Sequence, residues 1–271
     1  MDRYSFRVSW KAPELVVTGM TRWAKLGSRL QICRRWQWSL LLEPWQYIFP
    51  LLAQTASVIT YAPWEIVEPA SRFVIVNGKR VHYVESRIAG SRDALLLLHG
   101  KSFKAETWSS IGAPGRINEM GLDYVAVDYP GWGESDENGE FYPPTRKYSN
   151  AATFIEEFSR STGLKKFSLL GASFSGPFAV SYASRHPESV NKLVLVGPVW
   201  SEDLSQETSL IRKPVLIMYG ENDNVIPLES FLRYNRSIKR STLRPVRKAG
   251  HALYLDNREE FFNELDGFLR S

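Results

Sequence analysis

Cysteine is all but missing from this sequence: Cys33 is the only one among 271 residues, so no intramolecular disulfide framework is available. A lone thiol fits a reducing compartment. No Cys/His cluster has the spacing of a zinc site, and no resident metal is expected. The first thirty residues lack the compact apolar core of a cleavable signal peptide. Repeats and low-complexity tracts are absent, which excludes solenoids and arrays. Basic residues are in excess, with a formal charge of +5, yet no RNA- or DNA-module pattern accompanies them. The clusters at Arg22, Lys25, Arg29, Arg34 and Arg35, and between Arg233 and Lys248, therefore read as solvated faces, and no nucleic-acid partner is expected.

What is present suffices for a core: apolar residues make up 44% of a chain long enough for one α/β domain plus an extension. The boundary falls near residue 70. Residues 1–70 are rich in tryptophan (Trp36, Trp38, Trp45, Trp64), are interrupted by Pro44, Pro50 and Pro63, and show no clean alternation. From Leu40 to Tyr61 the only charge is Glu43, with basic residues upstream, as in a membrane anchor. Gln46, Gln54, Thr55, Ser57 and Thr60 dilute that run. A helical arm packed on the domain is the preferred reading. A membrane-surface or partner-docking segment and a true span stay open, so a cytoplasmic protein with possible membrane association is expected.

From residue 71 to 271 the pattern changes. Arg72–Val76 and Arg80–Glu85 are β-rich and flank Asn77-Gly78-Lys79, a strong hairpin signal. Short apolar runs follow at Ala94–Leu98, Tyr124–Val127, Phe167–Leu170, Lys192–Val196 and Val215–Tyr219, as expected of strands buried on both faces. Helical stretches lie between and after them at Asn150–Ser161, Pro177–Arg185, Leu228–Ser237 and Arg258–Leu269. Strand–helix alternation behind a hairpin predicts an α/β fold with a mostly parallel, doubly wound sheet and an antiparallel edge. Ligands then belong at the carboxyl ends of the strands.

Three strand ends carry chemistry. After Phe167–Leu170 comes Gly171-Ala172-Ser173-Phe174-Ser175-Gly176, with a helix to follow, which is the context of a nucleophile elbow. Small residues are needed there because strand and helix pack tightly around a strained serine. Ser175 stands where a second glycine is usual. Read alone, the hexapeptide favours the elbow over a phosphate-binding turn or plain tight packing, which stay open as alternatives. After Val215–Tyr219 comes Gly220-Glu221-Asn222-Asp223, and after the β-compatible stretch Leu243–Lys248 comes Ala249-Gly250-His251. A serine hydroxyl is a poor nucleophile at neutral pH, so an imidazole must take its proton and a carboxylate must fix the imidazole's tautomer. Ser173, Asp223 and His251 stand in the chain order this chemistry has in α/β folds. Singly, Asp223 is a turn residue and His251 a surface histidine; together they make a triad. Glu221 is the alternative acid, while Asp256 is expected to cap the last helix.

Backbone N–H donors for the oxyanion are expected from Phe174, after the nucleophile, and from Lys101, in the loop His99-Gly100-Lys101-Ser102-Phe103. His99 is expected to brace this loop and, with Gly100, Ser102, Trp132, Ser175 and Val199, to border the pocket. Asp128, opening the turn that runs to Ser135, is expected to hold that loop by hydrogen bonds.

These residues resemble the α/β-hydrolases. More narrowly, the chain from about residue 71 is similar to the group of α/β-hydrolase domain-containing protein 14, also called CCG-one-interacting factor B. Glu106-Thr107-Trp108, the serine in the elbow's second glycine position, and the short link from Pro198 to Lys213 carry the match. The resemblance implies a carboxylesterase-like serine hydrolase that cleaves small acyl esters through an acyl-enzyme, without a cofactor. The link is too short for a helical cap, so an open pocket without a cap domain is expected. One branch of the group is associated with passing an acetyl group from protein lysine to coenzyme A, whose phosphates Lys101 or Lys104 would meet. Gly171-Ala172 departs from that branch. A non-catalytic interaction module, docking through the Trp-rich arm, is the reading from another class.

Overall fold

The computed structural model describes residues 8–11, 14–17, 68–91, 93–137 and 148–271. The chain divides into two units, residues 1–61 and 62–271. In the first, β1 (Val8–Lys11) and β2 (Glu14–Val17) pair antiparallel. At these eight residues extended pairing replaces the helical arm of the sequence reading, as the β-branched Val8, Val16 and Val17 favour. The rest of that arm, up to Val67, lies outside the described residues, and so do its membrane-surface and docking readings. No helix among the described residues is long and apolar enough to cross a membrane.

The second unit opens with β3 (Ala70–Val76) and β4 (Lys79–Ser86), paired antiparallel in register from Ala70↔Glu85 to Val76↔Lys79. Asn77 and Gly78 adopt φ of 49° and 75°, the left-handed backbone a two-residue hairpin turn requires. Alternation follows: β5 (Ala94–Leu98), α1 (Ala105–Ser110), α2 (Ala113–Glu119), β6 (Asp123–Val127), α3 (Tyr148–Thr162), β7 (Phe167–Ala172), α4 (Gly176–Arg185), β8 (Val190–Val196), α5 (Ser205–Leu210), β9 (Val215–Gly220), α6 (Leu228–Ser237), β10 (Ser241–Val246), α7 (Leu253–Asp256) and α8 (Arg258–Arg270). One eight-stranded sheet results, in the order β10-β9-β8-β7-β5-β6-β4-β3. Strands β5 to β10 run parallel, and β4 joins β6 antiparallel. The chain goes from β5 outward to β6, then crosses back to β7 on the other side of β5. Neighbouring β5 and β7 thus form the switch point, where a crevice opens at the strands' carboxyl ends.

Strand periodicity builds two cores from one sheet. Leu96, Leu98, Leu169, Leu195 and Ile217 face one side and pack with Phe154 and Phe158 of α3, Tyr182 of α4 and Tyr234 of α6. Their chain neighbours Leu95, Leu97, Leu170, Val194 and Leu216 face the other, against Trp108 of α1, Ile117 of α2 and Phe261 of α8. Every one of these strand residues is buried, each contributing about 1.5–3 kcal/mol relative to exposure. The central apolar runs read without alternation because both faces are covered.

Between β8 and β9 the chain forms only a 3-10 turn at Glu202–Leu204 and the six-residue α5, in keeping with the short link. One expected cap is misassigned: Asn257, whose Oδ1 accepts from the Glu260 N–H at 3.3 Å, caps α8. Asp256 ends α7 instead, and its Oδ2 accepts the Gly250 N–H at 2.8 Å.

Candidate active site

Ser173 sits directly after β7 with φ of 52°, a left-handed conformation that costs a non-glycine residue about 1–3 kcal/mol. Tight packing holds it there. A Cβ on Gly171 would lie 2.7 Å from the Ser175 carbonyl oxygen and 2.8 Å from Ala179 Cβ. One on Gly176 would lie 2.6 Å from Pro198 Cβ, so the glycine requirement falls on position 176. Position 175 tolerates serine because its buried Oγ donates to the His99 carbonyl, joining the elbow to the loop after β5.

Two other strand ends converge on Ser173. His251 Nε2 lies 2.8 Å from Ser173 Oγ, and His251 Nδ1 lies 2.8 Å from Asp223 Oδ2. A carboxylate only accepts, so Nδ1 carries the proton and Nε2 is left to accept the serine hydroxyl. Asp223 is held on its far side: Oδ1 accepts the backbone N–H groups of Val225 and Ile226 at 2.9 and 3.0 Å. Its side chain is 2% exposed and that of His251, which lines the pocket, 20%. Glu221, the alternative acid, is turned elsewhere, with Oε2 accepting the Lys248 N–H at 3.3 Å.

The loop after β5 is ordered by His99, which is fully buried. Its Nδ1 donates to the Gly100 carbonyl at 2.8 Å, and its Nε2 accepts the Tyr129 N–H at 3.1 Å. Accepting at Nε2 needs the neutral ring, and burial, which lowers the imidazole pKa, favours that form. The Phe103 N–H also donates to the Gly100 oxygen, at 3.0 Å. The Gly100 carbonyl and the Lys101 N–H share one trans peptide and point in opposite directions. Two donors that fix the first therefore aim the second away from His99. A Cβ on Gly100 would lie 3.7 Å from Ser173 Cβ, so this peptide adjoins the serine. Trp132 completes the brace by donating its indole N–H to the Lys101 carbonyl at 2.7 Å.

Asp128 holds the next loop, accepting the N–H groups of Ala105 at 2.5 Å and Glu134 at 3.0 Å. Its Oδ2 also meets His82 Nδ1 at 2.7 Å, and His82 Nε2 lies 2.9 Å from Ser71 Oγ. Ser71–His82–Asp128 repeats the hydrogen-bonding order of Ser173–His251–Asp223 without its setting. Ser71 lies within the β3 ladder, whereas Ser173 stands on a positive-φ turn. The outer line ties the edge hairpin to the loop that carries Trp132.

Above Ser173 lies an open pocket of about 470 Å³. Gly100, Lys101, Ser102, Phe174 and Val199, all expected near substrate, line it beside Ser173 and His251. His99, Trp132 and Ser175 lie off the lining: His99 and Ser175 are buried beneath it, and Trp132 packs behind Phe174 with ring centroids 5.4 Å apart. Sequence reasoning missed Phe103, Tyr148, Phe178, Ile226 and Tyr254. Phe178 and Tyr254 were reachable, since each lies within five residues after a triad residue at the start of a helix. Tyr148 carries no such signal.

Comparison with known proteins agrees with this fold. A family model described as the alpha/beta hydrolase fold matches residues 93–210. Mouse ABHD14A is 30% identical over 182 residues, covering 66% of this chain and 70% of that protein. The chain belongs to the α/β-hydrolase family. Within it, the likeness is to the ABHD14 group. Human ABHD14A is 31% identical over 179 residues, 66% of this chain, which spans only 64% of the human protein's length. Rat ABHD14B, whose name provisionally assigns protein-lysine deacylase activity, is 27% identical over 215 residues, 75% of this chain and 97% of its own. Among solved structures, a predicted CIB-like hydrolase of Thermoplasma acidophilum superposes with a TM-score of 0.72 at 28% identity, covering 75% of this chain and 99% of that chain.

Proposed function

We propose that this α/β-hydrolase is a carboxylester hydrolase that works through an acyl-enzyme on Ser173, with His251 as general base and Asp223 as the carboxylate that orients it. The observation that carries the reading is the continuous line from Asp223 to His251 to Ser173, two contacts of 2.8 Å ending on a strained serine in an open pocket. Ser173 Oγ attacks the ester carbonyl while its proton passes to His251 Nε2. The backbone N–H groups of Lys101 and Phe174 receive the oxyanion. The C–O bond to the alcohol then breaks, and the alcohol leaves with the proton from Nε2. Water attacks the acyl-serine by the reverse proton route, releasing the acid and restoring the hydroxyl.

Two features of the site support these roles. Asp223 has both oxygens occupied, one by the imidazole and one by the Val225 and Ile226 N–H groups, so the imidazole orientation is preset. The Gly100–Lys101 peptide is held from behind by His99 and Phe103, so its N–H needs no reorganisation when charge develops. Of the two cations proposed to meet the phosphates of an acyl acceptor, only Lys101 lines the pocket, while Lys104 Nζ lies 2.6 Å from Glu106. Hydrolysis is therefore the favoured fate of the acyl group.

Rapid mixing with a p-nitrophenyl ester tests this reading. A p-nitrophenol burst approaching one equivalent per enzyme, followed by slower turnover, is expected. Linear release with no covalently acylated protein at early times would overturn the acyl-enzyme.

A further inference from the structure

The walls of the pocket specify what kind of acyl group it takes. Its lining combines residues from both core faces. Phe178 and Ile226 come from the side of α3, α4 and α6, and Phe103 and Tyr254 from the side of α1, α2 and α8. Ring packing locks an aromatic residue on each side: Phe178 against Phe174 with centroids 4.6 Å apart, and Tyr254 against Phe103 with centroids 5.8 Å apart. Phe178 and Tyr254 are each 3% exposed and form the floor, whereas Val225, 61% exposed, stands at the mouth. Among the described residues, the ionisable side chains that reach the lining are His251, Lys101 and the phenols of Tyr148 and Tyr254, and burial raises the Tyr254 phenol pKa, keeping it neutral.

Size sets the limits. Taking roughly 30 Å³ per heavy atom, the share of a water molecule in the liquid, an acetyl group occupies about 90 Å³, an octanoyl group about 270 Å³ and a palmitoyl group about 510 Å³. The pocket holds about 470 Å³ and must also admit part of the alcohol. An acetyl group would leave most of the aromatic wall in contact with water, whereas a palmitoyl group would extend past the open mouth and gain no further wall contact. We infer that the substrate class is esters of medium-chain, uncharged acyl groups of about six to ten carbons. The inference rests on the carboxylester-hydrolase reading above and narrows it, moving the expected acyl group away from acetate.

Val199 offers a handle on this volume. Its side chain lines the pocket while its backbone is pinned at both ends, the N–H donating to the Ser173 carbonyl at 3.2 Å and the carbonyl accepting the Tyr234 hydroxyl at 2.7 Å. A larger side chain there therefore takes space from the substrate instead of moving the chain.

The test is a series of p-nitrophenyl esters from acetate to palmitate, which holds the leaving group constant, run on the full chain and on Ser173→Ala to subtract background. On the full chain, kcat/KM should rise by up to about four-fold per added methylene, the transfer value of one CH₂, peak between hexanoate and decanoate, and fall at palmitate. Val199→Trp should lower the octanoate-to-acetate ratio by about ten-fold or more, the loss of roughly two methylenes of contact. A profile that is flat or highest at acetate, or a ratio unmoved by Val199→Trp, overturns the medium-chain assignment and leaves the hydrolase reading standing. Absence of Ser173-dependent turnover at every chain length overturns the hydrolase reading, and this inference with it.

Discussion

Ser173→Ala is expected to lower kcat for an activated ester on the order of 10⁶-fold, the loss seen when the serine of such a triad is removed. The site explains why the loss should be so complete. His251 Nε2 faces Ser173 Oγ at 2.8 Å, so deleting that oxygen leaves the base with no proton to take. The pocket walls and the braced Gly100–Lys101 peptide remain, so KM should change little and a residual rate above background should persist. Stability should hardly move. Alanine keeps the positive φ of the turn and loses only a partly exposed hydroxyl. Steady-state kinetics together with a thermal melt check both halves. A variant that keeps a tenth of the activity would show that another group is the nucleophile.

Asp223→Asn should cost about 10⁴-fold in kcat with the fold intact. Asparagine can keep its Oδ1 on the Val225 and Ile226 N–H groups, which fixes the amide so that its NH₂ faces His251. A donor at that point demands an acceptor at Nδ1, the ring takes its other tautomer, and Nε2 then carries a proton it cannot exchange for the serine's. Glu221→Gln, the control in the same loop, should change the rate by no more than a few-fold, because its carboxylate accepts the Lys248 N–H and not the imidazole of His251. Parallel kcat measurements on the two variants decide between the two carboxylates. A collapse in Glu221→Gln with Asp223→Asn spared would reverse the assignment.

Much of this geometry is legible in residue order because the determinants are local. Ala94–Leu98 and Leu228–Ser237 have the ends the pattern gives them, since apolar strands buried on both faces and an amphipathic helix each announce their type in a short window. Asn77-Gly78 supplies its own turn chemistry. Ser173, Asp223 and His251 stand past strand ends, and a parallel sheet collects such positions at one edge. Other features depend on contacts distant in sequence. Helices α1, α2, α5 and α7, of four to seven residues, are too short to display a 3.6-residue period. His99 and Ser175 sit where the sequence expects them but beneath the pocket, because their polar atoms are consumed in joining the β5 loop to the elbow. Tyr148 reaches the lining from the start of α3, whose arrival over the site no local pattern encodes. The medium-chain limit depends on the volume enclosed by aromatic residues from both core faces, a quantity that residue order does not carry.

The arrangement also explains how a departure from the usual elbow is accommodated. Only position 171 lies against both the Ser175 carbonyl and Ala179, and only position 176 meets Pro198, so these two must be glycine. Position 175 is free to carry a hydroxyl and uses it to bind the oxyanion-side loop. The same loop is gripped from the far side by Trp132, which stands in a turn held by Asp128 and, through His82, by the edge hairpin. Residues well outside the pocket thus position the peptide that adjoins Ser173.

Labelling with a fluorophosphonate, followed by mapping of the modified peptide by mass spectrometry, tests the central claim most directly. The account predicts one equivalent of phosphonate on Ser173 and none on Ser71, with labelling slowed by orders of magnitude in Asp223→Asn. Stoichiometric label on any other residue, or a native protein that takes up none, would contradict it.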